Sequence, residues 1–272
     1  MKILVTGSSG FIGSFLVKKL KKLGHDVSGF NTSNGDIVDV DVVREAVRGH
    51  DAVFHLAGIS RLSEVEKNPM RSHEVNVTGT TNVVMACRLF QAKLIFTSSE
   101  LVYGNNVIPF TEELYPFPLG EYGCQKILAE SMCFPLTDFI ARLGAVYGPS
   151  PLCHSVFNRF IQFVKAGKWV PMYPVEMGRD FVFVDDVVDA LVFGLNENNV
   201  GVFNVGTGVE TSFSDLLELI SKELDVKYEV INKNERLPYV VEHTCLEWSK
   251  MKCLGWIPKV DVKEGIRRCK DV

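Results

Sequence analysis

Short apolar runs alternate with segments of helical periodicity through the first half of the chain. The runs are rich in β-branched residues and are typical of buried strands. They are KILVTG (2–7), HDVSGF (25–30), DAVFHLAG (51–58), KLIFTSS (93–99) and DFIARLGAVYG (138–148). Helical patterns occupy the stretches between them, at 11–23, 40–47, 80–90 and around EYGCQKILAE (121–130). Strands separated by helices require crossover connections, so the pattern predicts an α/β fold with a parallel sheet.

The pattern changes near residue 149. Four prolines follow within 26 residues, at positions 149, 151, 171 and 174, and a helix is predicted near 155–166. A strand-like KYEVI (227–231) and the loop NERLPY (234–239) come later, whereas DFVFVDDVVDALVFGL (180–195) and VFNVGTG (202–208) again resemble core. We therefore expect a first domain over 1–148 with returning segments near 180–208. Residues 149–272 would form mostly a smaller, interleaved second lobe.

Composition narrows the class of protein. The 272 residues carry a net charge of −4 without any block of like charges, which argues against a nucleic-acid binder. No apolar run approaches the roughly 20 residues of a membrane span, and MKILVTG is too short for a signal peptide, so we expect a cytoplasmic protein. The seven cysteines form no CxxC pair and the six histidines have no metal-ligand spacing, so no metal site is predicted.

A glycine-rich segment, TGSSGFIG (6–13), joins the first strand to the first helix. Glycines allow a tight turn and a close approach of the backbone, so that a pyrophosphate can bind at the helix N-terminus. The spacing is GxxGxxG rather than GxGxxG, and a simple glycine-rich turn is the alternative. With a strand before it and a helix after it, the segment predicts a dinucleotide site. The assigned residues are Gly7, Gly10, Phe11, Ile12 and Gly13.

The end of the second strand bears on which dinucleotide is bound. An acidic residue there usually binds the ribose hydroxyls, but this chain has Asn31. Asn31 can bond a 2′-hydroxyl without repelling a 2′-phosphate, and no arginine follows, so NAD is slightly favoured and NADP is not excluded. Downstream, Asp36 and Ile37 are candidates for the adenine edge, with an ordinary surface turn as the alternative.

Taken together, the motifs carry a family resemblance. The chain resembles the extended short-chain dehydrogenases/reductases, specifically the NAD-dependent epimerase/dehydratase family that modifies nucleotide sugars. Besides TGSSGFIG, the matching segments are GDI (35–37), HLAG (55–58), NVTGT (76–80), TSSELVYG (97–104), YGCQK (122–126), RDFVFVDDVVDAL (179–191), FNVGTG (203–208) and LGWIP (254–258). The resemblance implies a doubly wound, Rossmann-like domain that binds the dinucleotide, and a small C-terminal lobe that closes over the sugar nucleotide.

The resemblance assigns catalytic roles to three residues. Tyr122 is implied as the acid/base and Lys126 as the residue that also holds the nicotinamide ribose, while the Ser99 hydroxyl bonds the reacting sugar oxygen. A phenol with a pKa near 10 needs a shift of about three units to act at neutral pH, or ~4 kcal/mol. One ammonium about 4 Å away supplies ~4 kcal/mol at an effective dielectric near 20, and residues four apart share a helix face. The alternative is the ordinary polar edge of a helix.

Other positions are assigned by the same resemblance. Leu56, Ala57 and Gly58 line the path of the cofactor. Ser99, Glu100, Arg179 and Arg236 are assigned to the substrate, and the two arginines would grip its diphosphate because a guanidinium binds phosphate in bidentate fashion. Solvated surface arginines are the alternative. Asn76 is expected to be structural, Ser98 to cap backbone, and Asp185 and Asp186 to form a helix N-cap.

Departures from the family pattern limit the substrate assignment. Ala145 stands where many members have an asparagine that contacts substrate, and NTSNGDIVD (31–39) leaves little room for a third strand. Dehydratases need an acid pair or a glutamate two after the Ser/Thr, whereas Glu100 follows Ser99 directly. We therefore expect epimerisation of a nucleotide sugar at C4, with reduction of a 4-keto sugar, 4,6-dehydration and a non-catalytic dinucleotide-binding regulator as alternatives. The resemblance suggests a homodimer that pairs the helices near 80–90 and 122–133.

Overall fold

The computed structural model describes residues 1–133, 139–167, 170–172, 177–232 and 240–271. The strands in this part are β1 (Lys2–Thr6), β2 (Asp26–Phe30), β3 (Ala52–His55), β4 (Lys93–Ser99), β5 (Phe139–Leu143), β6 (Ala145–Tyr147), β7 (Val170–Met172), β8 (Gly178–Phe183), β9 (Gly201–Val205), β10 (Glu210–Ser212) and β11 (Val230–Asn232). The α-helices are α1 (Phe11–Lys22), α2 (Val40–Val47), α3 (Leu62–Lys67), α4 (Pro69–His73), α5 (Gly79–Phe90), α6 (Glu121–Cys133), α7 (Val156–Lys165), α8 (Val184–Phe193), α9 (Phe213–Leu224), α10 (Ser249–Cys253) and α11 (Val262–Cys269). A π-helical turn (Glu74–Thr78) joins α4 to α5, and a 3-10 turn (Glu100–Val102) follows β4.

A six-stranded parallel sheet in the order β2-β1-β3-β4-β5-β9 forms the centre of the fold. Alternate strand residues enter two apolar clusters on opposite faces. Ile3 and Val5 pack with α1 and α8 on one face, and Leu4 packs with α2 and α5 on the other. Helices on both faces of a parallel sheet confirm the predicted α/β, doubly wound fold.

The predicted strand at 138–148 is divided into two strands. β5 pairs with β4 and β9 in the central sheet, whereas β6 pairs with β8 in a three-stranded sheet of order β10-β8-β6. Gly144 lies between them, and a Cβ there would come within 2.7 Å of the Asp180 carbonyl oxygen. The glycine therefore allows β8 to approach where the chain changes sheet.

The segment from 180 to 208 contributes to both sheets. β8 lies in the small sheet, α8 covers one face of the central sheet, and β9 pairs with β5 at its edge. This path agrees with the predicted interleaving, and the domain boundaries stay a prediction. Residues 31–39 form turns without a strand, so β2 is an edge strand, as the shortened segment before Gly35 indicates.

The prediction that Asp185 and Asp186 form an N-cap is wrong. Helix α8 begins at Val184 with Phe183 as its N-cap, so both aspartates lie in the first turn. Asp186 Oδ2 accepts hydrogen bonds from the backbone N–H groups of Lys259 and Val260, both at 3.0 Å. Trp256 Nε1 donates to the Asp186 carbonyl oxygen at 3.0 Å, which fixes the LGWIP segment on α8.

Among the described residues, no helix has the length and apolarity required to cross a bilayer. The same residues contain no group of three or more histidine, cysteine, aspartate or glutamate side chains placed to hold a metal ion.

Candidate active site

The glycine-rich segment forms a cradle at the carboxyl end of β1. Gly7 has φ +70°, in the left-handed region that favours glycine, and a Cβ there would lie 2.8 Å from the Ala57 nitrogen. A Cβ on Gly13 would overlap the Gly7 carbonyl oxygen. The N-cap of α1 is Gly10, which supplies no side-chain acceptor to the first-turn N–H groups of Phe11 and Ile12. The glycines allow close backbone contacts, and the helix that follows has no side chain capping its N-terminus. A dinucleotide pyrophosphate can therefore bind to the backbone N–H groups of this segment.

The loop after β3 lies against this cradle. Leu56 donates its N–H to the Thr6 carbonyl oxygen at 3.2 Å, and the Ala57 N–H donates to Thr6 Oγ1 at 3.2 Å. Gly58 is exposed, and a Cβ there would lie 3.0 Å from Asn76 Oδ1. The structure therefore places the three predicted residues Leu56, Ala57 and Gly58 beside the glycine cradle.

Asn76 has the structural role that was expected. Its Oδ1 accepts from the Ile59 N–H at 2.7 Å, and its Nδ2 donates to the Ile59 carbonyl oxygen at 2.9 Å and to Gln125 Oε1 at 2.7 Å. Gln125 in turn donates to Ser72 Oγ at 2.9 Å. These bonds join the loop after β3 to α6 and hold the two halves of the site at a fixed separation.

The predicted adenosine-binding residues lie in the turns after β2. Asn31 Oδ1 accepts from both the N–H and the hydroxyl of Ser33, at 2.9 and 2.6 Å. Asp36 accepts from the Val38 N–H and pairs with Arg71, and this backbone hydrogen bond and the arginine lower the pKa of its carboxyl group. Ile37 is buried, and its side chain packs over Gly79. Asn31 therefore keeps its amide N–H groups as donors, while the Asp36 carboxylate is held by protein partners.

Tyr122 and Lys126 occupy one face of α6 above the sheet. Lys126 Nζ donates to the Thr97 carbonyl oxygen at 2.9 Å and lies 5.8 Å from the centre of the Tyr122 ring. A Cβ on Gly58 would be 3.9 Å from the same nitrogen, and the Phe96 ring centre is 4.9 Å away. The structure therefore brings the predicted pair together with the ends of β3 and β4.

The predicted lowering of the Tyr122 pKa is not seen in the structure. Burial raises the pKa of the Tyr122 phenol above its usual range, and burial lowers the pKa of Lys126 to about 8. Desolvation disfavours the charged form of both groups, so it works against a phenolate. Lys126 Nζ donates to the Thr97 carbonyl oxygen, and its charge does not offset the effect of burial on the Tyr122 pKa.

His55 lies beneath this pair and was not singled out from the sequence. It is fully buried between Thr6 and Thr80, with 2.8 Å from Nδ1 to Thr6 Oγ1 and 2.9 Å from Nε2 to Thr80 Oγ1. Thr80 Oγ1 donates to the Asn76 carbonyl oxygen, so it accepts from His55 Nε2–H, and Thr6 Oγ1 then donates to Nδ1. Burial, followed by the Lys126 charge, lowers the pKa of His55 to about 3. The neutral imidazole is therefore a structural link, and its only sequence signal was the HLAG motif.

Ser99 ends β4 beside the start of α6. Its Oγ accepts from the Leu101 N–H at 3.2 Å, which caps the 3-10 turn. Capping was the role predicted for Ser98, and that prediction is wrong: Ser98 Oγ is buried and has no hydrogen-bond partner among the described residues. A Cβ on Gly123 would lie 2.7 Å from the Leu101 carbonyl oxygen. Gly123, which sequence reasoning passed over, therefore lets the Tyr122 end of α6 close onto the Ser99 turn.

Glu100 and Arg179 lie on the side of the small sheet. Glu100 is 4% exposed, and burial raises its pKa to about 8 although the Arg179 charge opposes this. Its Oε2 has no hydrogen-bond partner among the described residues, and Thr244 bonds to the carboxyl group. A carboxyl in this setting keeps its proton at neutral pH.

Only one of the two arginines predicted to bind the substrate diphosphate lies among the described residues. Arg179 Nη1 donates to the carbonyl oxygens of Gly178 and Glu242, at 2.7 and 3.0 Å, and Nη2 donates to that of Val241 at 2.7 Å. Three of its five N–H groups are thus directed to the backbone, which leaves Nε–H and one Nη2–H for a phosphate. Arg236 lies outside the described residues.

Comparison with known proteins gives the same family over most of the chain. The sequence profile of the NAD dependent epimerase/dehydratase family matches residues 3–206. A putative UDP-glucose 4-epimerase of Methanocaldococcus jannaschii is 32% identical, covering 98% of this chain and 96% of the relative. A UDP-glucose 4-epimerase of Mycolicibacterium smegmatis is also 32% identical, over 98% and 97%. The crystal structure of a Thermus thermophilus UDP-glucose 4-epimerase complex with NAD superposes with a TM-score of 0.89 at 28% identity, over 100% and 98%. These matches confirm the resemblance and the class of enzyme predicted from the sequence: the chain belongs to the NAD-dependent epimerase/dehydratase family of extended short-chain dehydrogenases/reductases.

Proposed function

We propose that the protein is an NAD-dependent 4-epimerase of a nucleotide sugar. The observation that carries the proposal is the placement of Tyr122 and Lys126 on one face of α6, with Lys126 Nζ 2.9 Å from the Thr97 carbonyl oxygen and the Ser99 turn packed against Gly123. The two relatives of 32% identity named UDP-glucose 4-epimerases support the reaction. A Thermotoga maritima UDP-glucose 4-epimerase with UDP-glucose, of TM-score 0.92 at 29% identity, supports a uridine diphosphate sugar as substrate.

In this proposal the chain moves one proton and orients one hydroxyl. The Ser99 hydroxyl donates a hydrogen bond to the sugar C4 oxygen, and the Tyr122 phenolate removes the proton from that oxygen as the 4-keto sugar forms. Lys126 stabilises the phenolate with its positive charge. Bound NAD would supply a hydride acceptor for C4 and, once reduced, a hydride donor for either face of the 4-keto sugar. Tyr122 then gives its proton back to the same oxygen, so the overall reaction consumes no oxidant.

The cradle residues Gly7, Gly10 and Gly13 would hold the cofactor diphosphate. Asn31 presents amide N–H groups, because its Oδ1 already accepts from Ser33 at 2.9 and 2.6 Å, so it suits a ribose and does not repel a 2′-phosphate. NAD is the proposed cofactor, and a measurement of the affinities for NAD and NADP distinguishes the two. Lys126 would hold the nicotinamide ribose, since its ammonium lies beside Gly58.

A homodimer through α5 and α6 belongs to the same proposal. Met85 and Leu89 on α5 are 55% and 59% exposed, and Leu128 and Met132 on α6 are 44% and 40% exposed. Exposed apolar side chains on two adjacent helices favour an isologous interface. Ile127, also on α6, packs against the cluster of Val102 and Tyr103 within the same chain.

The experiment is incubation of the purified protein and NAD with UDP-glucose, UDP-galactose and their uronic acid analogues. The proposal predicts formation of the C4 epimer, seen by proton NMR, with no net change in absorbance at 340 nm. Net oxidation of NADH or NADPH on a 4-keto sugar would establish a reductase instead, as in the 28% identical GDP-6-deoxy-D-mannose reductase of Pseudomonas aeruginosa. Cofactor binding without turnover of any sugar would support a non-catalytic regulator.

Elimination of water is the second candidate function. It is favoured by Glu100, whose pKa is raised to about 8 by burial, so that the carboxyl keeps a proton to donate to a leaving hydroxyl. The product would be 18 mass units lighter than the substrate, by the loss of one water. Mass spectrometry of the same incubation distinguishes this product from an epimer, whose mass is unchanged.

A further inference from the structure

The buried face of α6 continues past the catalytic pair. Tyr122, Lys126 and Glu130 follow one another at intervals of four residues, so they form one line along the helix. Lys126 and Glu130 are 7% and 4% exposed, which is unusual for charged side chains. Burial of both therefore calls for a compensating interaction.

Arg142 on β5 provides that interaction for Glu130. Arg142 Nε lies 3.0 Å from Glu130 Oε1, and Nη2 lies 2.7 Å from Oε2, so two nearly parallel bonds hold the carboxylate. Both side chains are 5% exposed, and the guanidinium stacks 4.7 Å from the Tyr103 ring centre. A bidentate fork fixes both the ionised state and the orientation of the carboxylate.

Among the described residues, the titratable groups that interact with Lys126 come from α6 and β3. On α6 they are Tyr122, Glu130 and Cys133, and on β3 the group is His55, which burial keeps neutral. Burial lowers the pKa of Lys126 to about 8, and the charges of Cys133 and Glu130 oppose this. Glu130 is the carboxylate among these groups, and Arg142 holds it in place.

We propose that Glu130, fixed by Arg142, is a positioning residue that keeps the Lys126 ammonium charged and oriented beside Tyr122. The inference rests on the proposed catalytic role of Lys126 and Tyr122. It adds a buried carboxylate, one helical turn beyond the lysine, that offsets the cost of burying the lysine charge. Removal of the carboxylate leaves the ammonium desolvated without its counter-charge, so Lys126 becomes neutral within the working pH range.

The direct test is an NMR titration of protein labelled with [6-13C]lysine, with the Lys126 signal assigned by Lys126→Arg. The Lys126 midpoint should fall by about one pH unit or more in Glu130→Gln. This is the effect expected of a carboxylate one helical turn away, at the roughly 6 Å that separates such positions on any α-helix, with an effective dielectric near 20 or somewhat higher. Glu130→Asp keeps the charge and should restore most of the original midpoint. Equal midpoints in the parent protein and Glu130→Gln would overturn the inference.

Glu130→Gln leaves Arg142 buried without its partner, so this single variant can misfold. A second variant keeps the inference testable in that case. The double variant Glu130→Gln with Arg142→Met removes both charges, and it should show a smaller downward shift of the Lys126 midpoint. An unchanged midpoint in the folded double variant would also overturn the inference.

The kinetic readout separates this inference from the proposed function. In Glu130→Gln, the high-pH limb of kcat should move to lower pH by the same amount as the Lys126 midpoint, while KM for the sugar nucleotide stays constant. A shifted NMR midpoint in a protein without sugar turnover would refute the proposed function and uphold the inference. If the protein is an epimerase, and Glu130→Gln changes neither the Lys126 midpoint nor the pH profile of kcat, the proposed function is upheld and the inference is overturned.

Discussion

Gly123→Ala tests whether the contact between α6 and the Ser99 turn sets the catalytic geometry. A Cβ at Gly123 would lie 2.7 Å from the Leu101 carbonyl oxygen and 2.9 Å from Pro118 Cβ. Ordinary contacts begin near 3.4 Å, so the start of α6 must move by about 3.4 − 2.7 = 0.7 Å relative to the turn. Misplacement of reacting groups by about 1 Å costs on the order of 100-fold in rate, so we expect kcat to fall by roughly 10- to 100-fold.

The folded state should survive this substitution. Alanine is favoured over glycine in a helix by about 1 kcal/mol, whereas overpacking costs typically 1–3 kcal/mol. The net loss of stability is therefore roughly 0–2 kcal/mol, a fall of a few degrees in Tm. The Kd for NAD should change little, because Gly7, Gly10 and Gly13, which would hold the cofactor diphosphate, lie between the end of β1 and the first turn of α1 and not on α6.

The assay compares kcat, Tm and NAD affinity with a control on the next residue of the same helix. Cys124→Ala removes a half-buried thiol that the account gives no chemical role, so its kcat should match that of the parent protein. Equal kcat values for Gly123→Ala and the parent would refute the argument that this close contact aligns Tyr122 with Ser99.

Three further predictions follow from the site. Gly13→Ala should weaken NAD binding by about 100-fold or more in isothermal titration, because its Cβ would overlap the Gly7 carbonyl oxygen and distort the cradle. Gly24→Ala has no such overlap, since a Cβ there meets no atom within 4 Å; its φ of +83° should cost stability, but NAD binding should stay nearly normal. Ser99→Ala should lower kcat by about 100- to 1000-fold with a small change in Tm, since it removes one donor to the reacting oxygen and the cap of one short turn; a fall of less than threefold contradicts its role. Glu100 binds a proton more tightly in the folded state, where its pKa is about 8, than in the unfolded state, so its contribution to stability decreases from pH 4.5 to 8. The Tm advantage of Glu100→Gln over the parent should therefore grow across this range, and a constant difference would contradict the buried acid.

The fold was predictable because its signals are local in the sequence. Apolar runs such as KILVTG and the glycine segment after it specify a strand, a turn and a helix start without knowledge of distant contacts. The split of residues 138–148 into β5 and β6 could not be predicted, because it depends on β8 and β9 pairing with the two halves. The hydrogen bonds of Asp186 to the LGWIP end, and the capping of the 3-10 turn by Ser99 instead of Ser98, could not be predicted for the same reason, since these contacts are set by tertiary structure.

The candidate site was predictable as a set of residues, and less so as an electrostatic environment. The family resemblance of the motifs pointed to Tyr122, Lys126 and Ser99, and the structure brings their elements together. The state of charge depends on burial, which a sequence does not report. Burial reverses the expected direction of the Tyr122 pKa and lowers the pKa of Lys126 to about 8. The Glu130 carboxylate on α6, whose charge opposes the lowering of the Lys126 pKa, is held by Arg142 on β5.

The most direct test of the central claim follows one hydrogen atom. The protein is incubated in ordinary water with NAD and a UDP-hexose that carries deuterium at C4, and the product is analysed by NMR and mass spectrometry. Epimerisation through transient oxidation predicts an epimer that retains the deuterium at C4, and Tyr122→Phe should form it slower by orders of magnitude while still binding NAD. Loss of the deuterium to solvent, or an unchanged rate in Tyr122→Phe, would contradict the account.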